Sequence, residues 1–195
     1  MKHISRSYLV AGVLAGLLAL ASCQKDNPLS TVSSPSQPSS LERQAPSVPD
    51  TLKVPEGNHV RFHGFATGVQ IYQVQQTSSG IAWVFLAPQA TLYGDRGYNG
   101  VIATHFAGPT WVSNSGSRVV GRTISSATPD PTAIAWLLLR AASSQGPGPL
   151  DSVTYIQRLY TAGGKAPASG ADADHLGDTT RVPYTAEYFF YSEAH

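Results

Sequence analysis

His105 sits in Thr104-His105-Phe106-Ala107-Gly108-Pro109-Thr110-Trp111, and histidine is the side chain whose proton exchange falls nearest neutral pH. Beside a Gly-Pro turn and a tryptophan it has two roles open to it. It can be a general base, or a ring that hydrogen-bonds a turn carbonyl. The first role needs an acid within one water of a common point, and the candidates are Glu187 and Asp130. Asp130 also has the position of a helix cap, which engages it elsewhere. No spacing ties either carboxylate to His105, so the turn contact is the favoured reading.

His59 and His63 are four residues apart. On a helix they would share a face and could hold a metal. The segment reads as a strand, where that spacing separates them by about 13 Å, too far for one ion with ligand distances near 2 Å. Asp172-Ala173-Asp174-His175-Leu176-Gly177-Asp178 carries Asp at the first and third positions and Gly at the sixth position of a calcium loop. Leu176 and Pro183 stand where the fifth and twelfth positions need oxygen ligands, so a solvated acidic turn is expected and no metal. There is no G-x-S-x-G elbow, no phosphate-binding P-loop and no dinucleotide fingerprint; no cofactor is expected. Trp111, Tyr184 and Arg158 are the candidate ligand-binding side chains. Aromatic rings can line a sugar or small-molecule groove, although they pack a β core more often.

These residues sit in segments that read mainly as strands. Val60–Ala66 alternates weakly. Val69–Gln75 alternates well, with Gln70, Tyr72 and Val74 on one face. The apolar run Ile81–Leu86 suits a central strand covered on both sides, and Pro88 marks an edge or an exit. Val101–Ala107, Trp111–Ser113 and Arg118–Ser125 follow, the last two joined by the turn at Asn114–Ser117 as a hairpin. Val153–Tyr160 and Tyr184–Tyr191 complete the set. One helix is expected over about 131–144. Asp130 is placed as its N-cap, Pro131 at its first position and Gly146 just past its end. Its apolar residues, Ile134, Trp136, Leu137, Leu138 and Leu139, cannot share one stripe, so the helix should be buried. The expected fold is a compact β sandwich or barrel with that one buried helix.

The beginning of the chain reads as an address. Lys2 and Arg6 precede an uncharged apolar run from Tyr8 to Ser22, shorter than the roughly 20 residues of a spanning helix and proportioned like a secretory signal. It ends in Leu20-Ala21-Ser22-Cys23, which resembles the bacterial lipobox, and Cys23 is the only cysteine. Residues 1–22 are therefore expected to be a lipoprotein signal peptide and Cys23 the lipidated, palmitate-bearing residue. Several acyl chains anchor durably where one binds only marginally. Gln24-Lys25-Asp26-Asn27 partly resembles the export signal of surface lipoproteins in one Gram-negative phylum. Residues 24–50 hold five prolines and seven serines, a composition that cannot bury enough surface to order itself and that stiffens into a spacer. With Cys23 they form the tether of a single β-rich domain over 51–191.

The whole chain has 195 residues, 13 basic and 12 acidic, with 42% hydrophobic and 13% charged. That balance excludes a polybasic nucleic-acid binder and a wholly disordered chain. The phrases VPEGNHVRFHGFATGVQIYQV, THFAGPTW with SGSRVVGR, DPTAIAWLLLRA, YIQRLYTAGGKAP and VPYTAEYFFY resemble the family known as domain of unknown function 3455, over about residues 54–191. The resemblance implies no established catalytic residue. It does imply that Val74 and a position near Ala171, cysteines in many relatives, are spatial neighbours. The expectation is a monomeric, lipid-anchored outer-membrane protein, displayed outward, whose domain is a non-catalytic module for a glycan, a small molecule or another surface component. The alternative is an extracytoplasmic hydrolase or isomerase using His105 as general base. No signature in the chain decides between enzyme and binder.

Overall fold

The computed structural model describes residues 45–194. The signal segment, Cys23 and the tether as far as residue 44 lie outside the described residues. Among those described, eight strands run in chain order: β1 (Asn58–Thr77), β2 (Gly80–Tyr93), β3 (Val101–Phe106), β4 (Thr110–Ser113), β5 (Arg118–Ala127), β6 (Trp136–Gln145), β7 (Tyr155–Gly163) and β8 (Thr179–Glu193). Each pairs antiparallel with the next, and β8 returns to β1, closing an up-and-down barrel. Closure removes every free sheet edge except where neighbours differ in length. No helix among the described residues is long and apolar enough to cross a membrane.

The register explains which side chains fill the barrel. Phe62, Gly64, Ala66 and Gly68 of β1 face Phe190, Tyr188, Ala186 and Tyr184 of β8. Small residues on one strand thus make room for large rings on the other. Gly68 is held so close to β2 that a Cβ there would lie 2.2 Å from the Gln89 carbonyl oxygen. Trp111, Leu139, Ile156, Tyr188 and Phe190 pack the interior, and Leu150 and Val153 from the β6–β7 loop plug one end.

The sequence expectation of a helix over 131–144 is overturned: β6 is a strand and nothing in 131–144 is helical. Asp130 does cap, but it caps a single turn. Its carboxylate accepts from the Thr132 amide at 2.8 Å and the Thr132 hydroxyl at 2.6 Å. The all-round apolarity has a different cause. Leu137 and Leu139 face the barrel interior, while Trp136 and Leu138 face outward under a strap formed by residues 48–54. A strand covered on both faces loses its alternation and reads like a buried helix. The strap is fixed by a 3₁₀ turn at Asp50–Leu52, the fully buried Leu52, and a bond from the Gln157 amide to the Leu52 carbonyl at 2.7 Å.

Ile81–Leu86 also differs from expectation. It is not a covered central strand: Phe85 and Leu86 are among the most exposed large hydrophobic residues. The β2–β3 pairing runs only from Ala90↔His105 to Tyr93↔Val101. Likewise β4–β5 runs only from Thr110↔Val120 to Val112↔Arg118. The short β3–β4 hairpin therefore stops while β2 and β5 continue past it, which leaves a notch in the barrel wall above Gly108 and Pro109. Pro88, which cannot donate to a ladder, stands on the β2 side of that notch.

Candidate functional site

A cavity of about 210 Å³ opens at this notch. Phe85, Leu86 and Pro88 form its β2 side, Thr123 its β5 side, and Gly108 and Pro109 its sill. Leu137, Leu139, Arg158 and Tyr188 line it from β6, β7 and β8, and His105 and Trp111 make its floor. A second depression of about 420 Å³ shares Phe85, Leu137 and Arg158 with the first and adds Gln70, Tyr72, Ile134 and Lys165. Arg158 stands at the junction.

His105 is held as a structural ring. Its Nδ1 donates to the Thr110 carbonyl at 2.9 Å, across the turn that joins β3 to β4. Its plane lies on the Trp111 indole with centroids 4.3 Å apart and 6° between planes. Burial pushes its pKa down to about 3, against the smaller raising effect of the Thr110 carbonyl. It is therefore neutral at ordinary pH and a poor proton acceptor. Neither candidate acid joins it. Asp130 is spent on Thr132, and Glu187 projects from β8 between the inward Ala186 and Tyr188, toward the outside of the barrel. Among the described residues, neither Asp130 nor Glu187 is placed to assist a general-base mechanism on His105.

Of the residues singled out from the sequence, the notch brings together His105, Trp111 and Arg158. Tyr184 is adjacent and buried, its hydroxyl 3.3 Å from that of Tyr188. Burial raises the pKa of both phenols, so both hydroxyls keep their protons. Arg158 Nε and Nη2 donate to the Ala135 carbonyl at 3.1 and 2.8 Å. Among the described residues no carboxylate forms a salt bridge with it. Among the described residues the buried Gln70 side chain lies within reach of the Tyr184 hydroxyl, while Trp111 Nε1 is a buried donor with no acceptor. Such groups are rare in folded proteins because each costs its full desolvation.

Residues 55–192 match the profile of a protein family described as "Protein of unknown function (DUF3455)". The chain belongs to the DUF3455 family. No curated protein and no solved structure matches it. The DUF3455 match begins just after the strap and ends in β8, so it takes in every strand of the barrel. Val74 in this DUF3455 barrel is fully buried, and its backbone exchanges hydrogen bonds with Gly177 and Asp178, in the same β7–β8 loop as Ala171.

A second cluster, on the outer wall, escaped the sequence reading. Glu187 accepts from Arg96 at 2.9 Å and pairs with His63 Nε2 at 3.0 Å. His63 stacks on Phe189 with centroids 4.0 Å apart. Burial raises the Glu187 pKa, and Arg96 opposes that rise. Glu187 and His63 are far apart in sequence and meet because β1 and β8 close the barrel. The available signal was an acid at the centre of an apolar strand end, a position that demands a partner. His59 is not part of this cluster; its ring lies 3.5 Å from the Ser192 hydroxyl. In the acidic turn, Asp172 caps the 3₁₀ turn Ala173–His175 through the Asp174 amide and bonds His175 Nδ1 at 2.6 Å. No group of three His, Cys, Asp or Glu among the described residues is arranged to hold a metal.

Proposed function

We propose that the DUF3455 barrel is a non-catalytic binding module for a small molecule with an apolar, flat body and an anionic oxygen group. The observation that carries this reading is Arg158, a cation facing the notch without a carboxylate partner among the described residues. An arginine fork matches a carboxylate better than any other side chain does. Phe85, Leu137 and Leu139 supply an apolar lining around it, the usual composition of a ligand pocket.

The placement belongs to the same proposal. The chain is exported, lipidated on Cys23 and held at the outer membrane with the barrel facing outward on its proline-rich tether. The run from Lys2 to Cys23 and the solitary cysteine support this.

The test is a thermal-shift comparison of phenylacetate with its uncharged analogue phenylacetamide, on the full chain in detergent. Phenylacetate is expected to stabilise the wild type more than phenylacetamide, and Arg158→Met to erase that preference. Equal shifts from the acid and the amide in the wild type would overturn the reading.

A further inference from the structure

Another cavity, of about 200 Å³, lies on the outer wall and is lined by Phe65, Arg96, Tyr98, Tyr160 and Glu187, together with Thr185 and Ala186. Tyr98 and Tyr160 have φ of 57° and 49°, and they are the only non-glycine residues with positive φ among those described. An L residue in that region costs about 1–2 kcal/mol, and such strain collects at functional sites. Both strained residues are tyrosines, both are exposed by more than two-fifths, and both line the same cavity.

Each is held there by a specific device. Asp95 Oδ1 accepts from the Gly97 and Asn99 amides at 2.8 and 3.2 Å, and this tight loop carries Tyr98. Tyr160 lies in the β-bulge between Leu159 and Ala162; bulges re-aim side chains. Its ring rests edge-on against Trp136, centroids 5.1 Å apart. Phe65 completes the walls, with the Arg96 guanidinium 5.2 Å from its centroid.

The floor combines opposite charges that already satisfy one another. Arg96 Nη2 donates to Glu187 Oε1, and Glu187 Oε2 pairs with His63. Arg96 is 77% exposed at its side chain, so donors beyond the one on Glu187 are open to solvent. A carboxylate oxygen that accepts one bond can accept another. The site thus offers donors and acceptors side by side without a net charge to attract an ion, between flat apolar walls. A cation would meet Arg96 and an anion would meet Glu187. A pyranose ring presents both an apolar C–H face and neighbouring hydroxyls that donate and accept.

We propose that the groove between Tyr98 and Tyr160, floored by the Arg96–Glu187 pair, is a binding site for a neutral saccharide ring. It is separate from the notch and does not depend on the reading of Arg158.

The experiment is saturation-transfer NMR on the full chain in a non-glycosidic detergent, with the methyl glycosides of glucose, galactose, mannose and N-acetylglucosamine as probes. At least one is expected to receive transfer at its ring C–H protons. Tyr98→Gly, which relieves the strain while removing the wall, and Arg96→Ala, at an exposed position, should each weaken binding about tenfold. Thr123→Phe should leave it unchanged, because it alters only the notch. Transfer to none of the four probes, transfer indifferent to both Tyr98→Gly and Arg96→Ala, or transfer abolished by Thr123→Phe would each overturn the inference.

Discussion

The imidazole of His105 lies flat on the indole of Trp111, centroids 4.3 Å apart and planes 6° from parallel. With Tyr188 edge-on to both, at 5.2 and 5.4 Å, the pair forms a rigid floor to the notch. Its histidine is a packing element that still carries a titratable nitrogen, and that has a consequence for stability.

The folded pKa of His105, about 3, lies below the ordinary 6.5. As pH falls through 6.5 the unfolded chain takes up a proton that the folded chain refuses. Stability is therefore fully present above 6.5 and declines toward pH 3, by up to about 1.4 kcal/mol per pH unit from this residue. Urea unfolding of wild type and His105→Phe between pH 7 and 4 should show a shallower decline in the variant. Parallel pH profiles would show that His105 is not buried neutral.

Gly68 permits the close approach of β1 and β2. A methyl group at this position would meet the Gln89 carbonyl at 2.2 Å and the Ala90 Cα at 2.5 Å, backbone atoms that cannot rotate away. Gly68→Ala should cost about 1–3 kcal/mol or more through overpacking. Gly80→Ala meets no neighbouring atom, although its φ of 118° makes it strained as well. A denaturation midpoint for Gly68→Ala equal to wild type would contradict this seam.

How much of this was legible in the sequence depended on which faces were covered. Val69–Gln75 displayed its alternation because Gln70, Tyr72 and Val74 are buried and their neighbours are only partly so. The strand at 136–145 hid its alternation because the strap over Leu138 made both faces apolar. Capping residues at Asp130 and Gly146 then completed a false helix, since the chemistry that starts a helix also makes a single turn. Ile81–Leu86 looked like a core strand, but the apolarity at its end, Phe85 and Leu86, serves the rim of a notch. His105 with Trp111 and Arg158 was found from residue type alone. Arg96, His63 and Glu187 were not assembled, because only barrel closure brings them into contact.

The strap makes the last turn of the expected tether part of the folded body. Leu52 is fully buried with Leu138, Leu159 and Phe189. Leu52→Ala should lower stability by about 2–5 kcal/mol. Chemical denaturation of the variant checks this. A midpoint equal to wild type would mean that the strap carries no stability.

Lipidation at Cys23 predicts that cells fed radiolabelled palmitate label this protein, and that Cys23→Ser abolishes the label and releases the chain from the membrane fraction. A Cys23→Ser variant that stays membrane-bound would remove the anchor from the account.

The most direct test of ligand binding in the notch follows the three indole N–H signals during a phenylacetate titration of the full chain. Trp83 Nε1 donates to the Ser169 carbonyl at 2.9 Å, away from the notch, while Trp111 lies on its floor. Binding in the notch should give a saturable shift of the Trp111 signal, a still Trp83 signal, and loss of the response in Thr123→Phe. A Trp111 signal that stays in place throughout, or one that moves equally in Thr123→Phe, would contradict it.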